Sequence, residues 1–162
     1  LDHIVVIDAD KVTPVIDKGL VPTGKVADIR GTDLDFTSPH KIGERINSDN
    51  PQMIFASGYD FNYVINKEPG ILAFAASAYE AKTGRYMEVF TTEPGLQLYT
   101  ANSMNGSEIG KSGKPYIKNG GFCFETQHFP DTPNQPSFPS TLLKPGEMYK
   151  STTIFKFSIK ES

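Results

Sequence analysis

The chain has 162 residues, which is the length of a single domain. Its 38% hydrophobic and 22% charged residues form the composition of an ordinary folded protein and argue against disorder. A net charge of −3 without a strongly basic segment excludes the electrostatic signature of a nucleic-acid-binding protein.

The cysteine content and the first residues of the chain bear on its cellular compartment and on whether the domain begins at Leu1. Cys123 is the single cysteine, so an internal disulfide is excluded and a reducing, cytoplasmic location is predicted. No apolar run reaches the ~20 residues that span a bilayer, and no secretory signal pattern occurs, so no membrane partner is expected. Because Leu1 is not a methionine and a strand-like pattern begins at once, we expect that a preceding part of the domain is missing.

Short strand-like runs separated by Gly-, Pro-, Asn- and Ser-rich turns follow one another along the chain. The strands are predicted, in chain order, at residues 3–8, 25–29, 71–79, 86–92, 96–100, 121–126 and 151–159. Residues 12–16, broken by Pro14, predict an edge strand or bend, and residues 38–46 predict one or two helical turns. Residues 102–114 and 129–140 are predicted as loops. This pattern, without a long helical period, predicts an all-β sandwich or barrel in one piece.

Sequence signatures of several chemistries are absent. No phosphate-binding glycine-rich loop, dinucleotide fingerprint or Gly-x-Ser-x-Gly nucleophile elbow occurs. The histidines His3, His40 and His128 are too far apart in sequence for a compact zinc site, which leaves only a metal site assembled from distant residues. Cys123 lies between two phenylalanines, which predicts a buried, inert thiol.

A carboxylate stands out on the predicted strand at residues 121–126. Alternation places Cys123, Glu125 and Gln127 on one face of this strand. A carboxylate on an otherwise buried-looking strand is costly unless it is paired or used, and burial raises its pKa towards the range of a general base. The alternative is a glutamate on a solvated sheet face, or one paired with a lysine.

Residues 58–63 interleave three aromatic side chains with Asp60 and Asn62. Aromatic rings stack on the C–H faces of sugars, while carboxylates and amides bond sugar hydroxyls. The alternative is a turn in which Asp60 and Asn62 cap their own backbone and the rings lie in the core. Gln97 offers a further polar side chain on a predicted strand.

These segments belong to a longer ordered series. The series includes Gly58-Tyr59-Asp60-x-Asn62, Thr91-Thr92-x-Pro94-Gly95-x-Gln97-x-Tyr99-Thr100-x-Asn102, Gly121-Phe122-Cys123-x-Glu125-Thr126-Gln127 and Pro130-Asp131-x-x-Asn134-Gln135-Pro136. Together these motifs resemble the aldose 1-epimerase (galactose mutarotase) family, and the resemblance covers nearly all 162 residues.

The resemblance implies a fold, a reaction and roles for three residues. It implies that the fold is a large antiparallel β-sandwich. It also implies an enzyme that interconverts the α and β anomers of free hexoses such as galactose and glucose and uses no cofactor and no metal. In the family pattern, Glu125 matches the general base, Asp60 a hydroxyl-binding carboxylate and Gln97 a further sugar contact. Since all three must reach one hexose, we expect them to converge on one cleft floored by the sheet.

The chain also departs from the family pattern. The acid of the family is a histidine in an Asn-His-Ser-Tyr-Phe-Asn-Leu-type motif, assisted by a His-Gly-Gly-type motif and an upstream arginine, and none of these motifs is present. His3 does not match that acid, and His128 is predicted on the strand face opposite Glu125. Residues 1–162 are therefore predicted to be the C-terminal half of a single domain whose N-terminal half is absent from this chain. We expect that half to be cleaved away, carried by another chain or located upstream, because some fungal members of the family carry this domain behind a UDP-galactose 4-epimerase.

Two other functions stay open at this point. One is a non-catalytic module on the same fold that binds carbohydrates or sugar phosphates. The other is a structural β-sandwich without a ligand, which requires Glu125 to be solvated or ion-paired away from any cleft.

Overall fold

A computed structural model describes residues 1–160. Its strands and helices are, in chain order, β1 (Ile4–Ile7), β2 (Lys11–Val12), β3 (Ala27–Asp28), β4 (His40–Lys41), α1 (Ile42–Arg45), α2 (Pro51–Ala56), β5 (Asp60–Val64), β6 (Ala73–Glu80), β7 (Arg85–Thr91), β8 (Gly95–Tyr99), β9 (Asn105–Ile109), β10 (Pro115–Ile117), β11 (Cys123–Gln127), a 3-10 turn (Thr132–Asn134) and β12 (Thr153–Ile159). All strand pairs are antiparallel, so the predicted all-β antiparallel fold is confirmed.

The strands form two five-stranded sheets and one separate hairpin. The first sheet has the order β12-β7-β6-β1-β4, and the second has the order β11-β8-β5-β2-β3. Among the strands of residues 1–160, β9 and β10 pair only with each other. In the second sheet β8 is therefore flanked by β5 and β11, and these three strands carry the candidate site residues.

Alternate residues of the two sheets meet in one hydrophobic cluster. Val5 and Ile7 of the first sheet and Phe61, Leu96 and Leu98 of the second are all at most 1% exposed within it. Because successive side chains of a strand point to opposite faces, the same strands β5 and β8 turn their intervening residues away from this core. Packing of the core residues therefore directs the intervening side chains of β5 and β8, which include the candidate site residues, to the other side of the sheet.

Tyr63 of β5 and Tyr59, the residue just before this strand, hydrogen-bond to a segment that precedes β4 and α1. The hydroxyl of Tyr59 donates to the carbonyl of Asp33 at 3.0 Å, and the hydroxyl of Tyr63 donates to the carbonyl of Leu34 at 3.0 Å. Burial raises the pKa of Tyr59 to about 12, so this hydroxyl remains a donor at physiological pH. These bonds satisfy the polar ends of rings that otherwise lie in the core.

The sequence-based prediction missed several elements. The predicted loop at residues 102–114 contains β9, which pairs with β10 in a hairpin closed by a bond from the Gly110 amide to the Lys114 carbonyl. Strand β9 is mostly exposed and mostly polar, so it lacks the apolar alternation by which strands are recognised. Strand β5 and helix α2 were also missed, and residues 12–16 contribute only the end of β2 and a bridge between Val15 and Pro22.

One edge of the first sheet exposes large apolar side chains. Strand β12 is the edge strand, and Phe155, Phe157 and Ile159 on one of its faces are 46%, 74% and 68% exposed. We call these three residues the β12 face. A cavity of about 470 Å³, lined in part by Met87, Phe122, Phe157 and Ile159, opens beside it. An exposed apolar edge of this kind is a surface that another polypeptide covers, or a site of self-association.

The helices of residues 1–160 are at most six residues long, so none could cross a membrane.

Candidate functional site

The three residues predicted from the sequence lie on one face of the second sheet. Gln97 of β8 is the register partner of Asn62 on β5 and of Glu125 on β11, and cross-strand partners share a face. Asp60 precedes Asn62 by two residues and is on that face as well. We call this surface of β5, β8 and β11 the polar face.

Two of the three residues are in direct contact. The Nε2 atom of Gln97 donates a hydrogen bond to Oδ1 of Asp60 at 2.7 Å. The carboxylate and the amide together present acceptors and donors side by side, which is the combination that binds a sugar hydroxyl. Tyr99 also belongs to this face, since it is the register partner of Asp60 and of Cys123.

Glu125 is a carboxylate with an unusual environment. Partial burial and the negative charge of Asp60 raise its pKa, although its side chain is exposed to solvent. Within residues 1–160 no lysine, arginine or histidine forms an ion pair with Glu125, so the pairing with lysine considered from the sequence does not occur there. The pKa of Asp60 is also raised, because its burial outweighs the hydrogen bond from Gln97.

The polar face is open rather than enclosed. Its floor is the sheet, and a cavity of about 430 Å³ borders it, lined in part by Tyr99, Met104, Tyr116 and Cys123. Glu125 itself is exposed and does not line this cavity. Within residues 1–160, the sheet thus forms the floor of the predicted cleft and the cavity beside Tyr99 forms one side of it. Glu125 is not covered by any of these residues.

The prediction of a buried Cys123 is wrong, and Asn62 lies deeper than a hydroxyl-binding residue would. Cys123 is exposed rather than buried, because the phenylalanines on either side of it in sequence point to the opposite face of the strand. Partial desolvation at the sheet surface and the nearby charge of Glu125 raise the pKa of the Cys123 thiol, which keeps it protonated and poorly nucleophilic. Asn62, considered as a hydroxyl-binding residue, is only 2% exposed and lies beneath its neighbours.

Each histidine has its contacts elsewhere. The ring of His3 packs against Phe122, and His40 contacts Ser38 and Glu44. His128 is treated below. Among residues 1–160 there is also no cluster of three His, Cys, Asp or Glu side chains that could hold a metal ion.

A second cluster of ionisable groups surrounds Glu93, between β7 and β8. The Tyr149 hydroxyl donates to Oε1 of Glu93 at 2.5 Å, and Nδ1 of His128 lies 2.8 Å from Oε2. Burial opposes ionisation of Glu93, but hydrogen bonds from Ser151 and Tyr149 and the charges of His128 and Lys67 outweigh it, so the pKa of Glu93 is lowered. This cluster fastens the extended segment around Tyr149 to the body of the protein.

The Glu93 cluster predicts a pH dependence of stability. Because the folded-state pKa of Glu93 lies below its ordinary value of 4.5, ionised Glu93 stabilises the fold above pH ~4.5, and this contribution is lost as the pH falls through the lowered value. We expect Glu93→Gln to lower the free energy of unfolding by about 1–3 kcal/mol near neutral pH and by less in acid. Urea titrations at both pH values check this, with the exposed Glu108→Gln as the control. Equal losses for Glu93→Gln at both pH values would contradict the prediction.

Comparisons with known proteins give a consistent result. A family model described as aldose 1-epimerase matches residues 1–156. The galactose mutarotase of Bos taurus is 46% identical over 160 residues, which cover 98% of this chain and 44% of the relative. The aldose 1-epimerase of Escherichia coli strain K12 is 32% identical over 158 residues, which cover 96% of this chain and 45% of the relative.

Solved structures agree with the sequence relatives. The crystal structure of an aldose epimerase homologue from C. elegans superposes with a TM-score of 0.86 at 26% identity, covering 99% of this chain and 46% of that one. The galactose 1-epimerase of Lactobacillus acidophilus superposes with a TM-score of 0.75 at 27% identity, covering 99% of this chain and 45% of that one. The chain thus spans less than half the length of the relatives that it matches.

Proposed function

The chain belongs to the aldose 1-epimerase family, and we propose that it carries the base of an enzyme that interconverts the α and β anomers of free hexoses such as galactose and glucose. The observation that carries this proposal is the placement of Glu125, which has no ion pair within residues 1–160, on the same face as the Asp60–Gln97 pair. A titratable group with a raised pKa beside hydroxyl-binding groups is typical of a general acid–base site.

The proposed reaction is a ring opening followed by reclosure. Ionised Glu125 accepts the proton of the anomeric hydroxyl, the electron pair of that O–H bond forms the carbonyl at C1, and the bond from C1 to the ring oxygen breaks. An acid protonates the ring oxygen, which gives the open-chain aldehyde. Rotation about the C1–C2 bond and the same steps in reverse, from the other face of the carbonyl, yield the other anomer. Every atom is retained, so the reaction consumes no co-reactant.

Asp60 and Gln97 are proposed to hold the sugar while this happens. The free oxygen of the Asp60 carboxylate accepts a hydrogen bond from a sugar hydroxyl, and the second hydrogen of the Gln97 amide is available to a sugar oxygen. Fixing the ring against Glu125 converts an encounter into an intramolecular proton transfer, which is worth several orders of magnitude in rate.

The proton donor for the ring oxygen is proposed to lie outside this chain. None of the three histidines in residues 1–160 forms a hydrogen bond or an ion pair with Glu125, and the chain spans about 44–46% of the relatives named above. We therefore propose that residues 1–162 are the C-terminal half of one domain and that the N-terminal half supplies the acid. The polypeptide that joins both halves is called the full-length protein below, and its proposed location is the cytoplasm.

One observation favours a second candidate function, a module that binds hexoses without converting them. The strands β5, β8 and β11 supply a base and hydroxyl-binding groups but no histidine to protonate the ring oxygen, and binding alone does not require that proton donor.

Polarimetry of freshly dissolved α-galactose and α-glucose separates these candidates. We expect the full-length protein to bring the optical rotation to its equilibrium value faster than buffer does. Binding of galactose, measured by calorimetry, without any acceleration would favour the binding module and contradict the enzyme.

A further inference from the structure

Three amide side chains form a continuous chain of hydrogen bonds that ends on Asp60. The Nε2 atom of Gln127 donates to Oδ1 of Asn62 at 3.2 Å and to Oε1 of Gln97 at 3.1 Å. Gln97 in turn donates from Nε2 to Oδ1 of Asp60 at 2.7 Å. From Gln127 through Gln97 to Asp60 the donors thus point in one direction across the three strands of the polar face, and the bond from Gln127 to Asn62 is a branch of this chain.

The carboxylate of Asp60 determines this direction. An ionised carboxylate only accepts hydrogen bonds, so the amide nitrogen of Gln97 must face Asp60 and the amide oxygen must face Gln127. Only a donor can meet that oxygen, so Gln127 presents its nitrogen, and the same nitrogen then requires the oxygen of Asn62. Rotating any one amide by half a turn would set oxygen against oxygen or nitrogen against nitrogen.

The packing around Asn62 holds the far end of this chain in place. Gln127 is the register partner of Gly95, and the missing side chain of Gly95 leaves the space that Asn62 fills. A Cβ atom on Gly95 would overlap Oδ1 of Asn62 and would lie 3.1 Å from the ring of Phe129. Asn62 is 2% exposed, and within residues 1–160 its buried Nδ2 atom has no hydrogen-bond partner, which costs free energy as long as the oxygen of Asn62 faces Gln127.

We propose that Gln127, held by Asn62, is a positioning residue that fixes the amide of Gln97 for sugar binding. This inference rests on the proposed function, because it assigns Gln127 a role in the same site. Gln127 contacts Gln97 and not the sugar in this proposal. Its effect is to keep the Gln97 nitrogen on Asp60, so that the carboxylate and the amide meet the sugar in one arrangement.

The test compares Gln127→Met with wild type in the full-length protein. Methionine keeps the length of the side chain and removes both donated hydrogen bonds. We expect KM for galactose to rise about tenfold and kcat to stay within about twofold, since the loss of a neutral hydrogen bond is worth a factor of this order. Gln127→Glu keeps the shape but presents an acceptor to Gln97, and it should raise KM at least as much. Thr126→Val, on the same strand but the opposite face, is the matched control.

A double-mutant cycle distinguishes positioning from direct contact. If Gln127 acts only through Gln97, Gln127→Met should have no further effect on KM in a Gln97→Met background. An equal, additive effect in that background would overturn the proposal, and so would an unchanged KM in Gln127→Met while the wild type is active.

A second readout does not depend on activity. The side-chain amide NMR signals of Gln97 should shift in Gln127→Met and stay in place in Thr126→Val. An inactive wild-type protein would overturn the proposed function, and the amide signals would still decide whether Gln127 orients Gln97. Signals of Gln97 that do not respond to Gln127→Met would overturn the positioning role.

Discussion

Replacing Glu125 with glutamine is expected to lower kcat for mutarotation by about 10²–10⁴-fold in the full-length protein, because a positioned general base contributes that much. Glutamine keeps the shape of the side chain and an oxygen that can accept a hydrogen bond, but it cannot take up the proton of the anomeric hydroxyl. KM should therefore change little, and the loss should be confined to turnover. The exposed Glu68→Gln is the matched control and should retain wild-type kinetics.

The pH profile adds a readout specific to the base. Glu125 must be ionised to act, so kcat/KM should fall as the pH drops through its pKa, which burial and the charge of Asp60 raise above the ordinary value. This acid limb should vanish in Glu125→Gln together with most of the activity. Wild-type turnover by Glu125→Gln at any pH would remove Glu125 from the mechanism.

The polar face could be predicted from the sequence because a strand has a simple geometry. Alternation along β11 placed Cys123, Glu125 and Gln127 together, and the structure has the same arrangement. The same geometry explains the error about Cys123, since the residues beside it in sequence are on the other face of the sheet and do not bury it. Period-2 reasoning predicts which residues share a face, but it does not reveal which face is covered.

The contacts within the site could not be predicted in this way. The link between Gln127 and Gln97 depends on the register between β8 and β11, and on the space that Gly95 leaves for Asn62. Register is fixed by the pairing of distant segments, so no local pattern contains it. Helix α2 did carry a local signal, because Asn50 is its N-cap and accepts a hydrogen bond from the backbone amide of Gln52. With six residues, however, the helix is too short to show a helical period in the sequence.

Produced alone, residues 1–162 are expected to self-associate and to show no mutarotation. The β12 face leaves Phe157 and Ile159 largely in water, next to an unpaired strand edge. Burying 100 Å² of apolar surface against another polypeptide stabilises a fold by about 2.5 kcal/mol, and this stabilisation is missing while the surface stays in water. The total stability of a typical domain is only about 5–15 kcal/mol. Sedimentation velocity should therefore find little of the 17.8 kDa monomer, and polarimetry should find no acceleration, because we propose that the acid belongs to the N-terminal half.

A double substitution on the β12 face tests this prediction further, because we expect it to favour the monomer in the isolated chain and to destabilise the full-length protein. Phe157→Ser with Ile159→Thr removes apolar surface, so in the isolated chain it should increase the monomer fraction. In the full-length protein the same change should lower the free energy of unfolding by about 2–5 kcal/mol, since there these side chains are buried by the proposed N-terminal half. A stable monomer with cooperative unfolding, formed by the isolated wild-type chain, would contradict the proposal that another polypeptide segment buries the β12 face. Mutarotation by that monomer would in addition place the acid within residues 1–162.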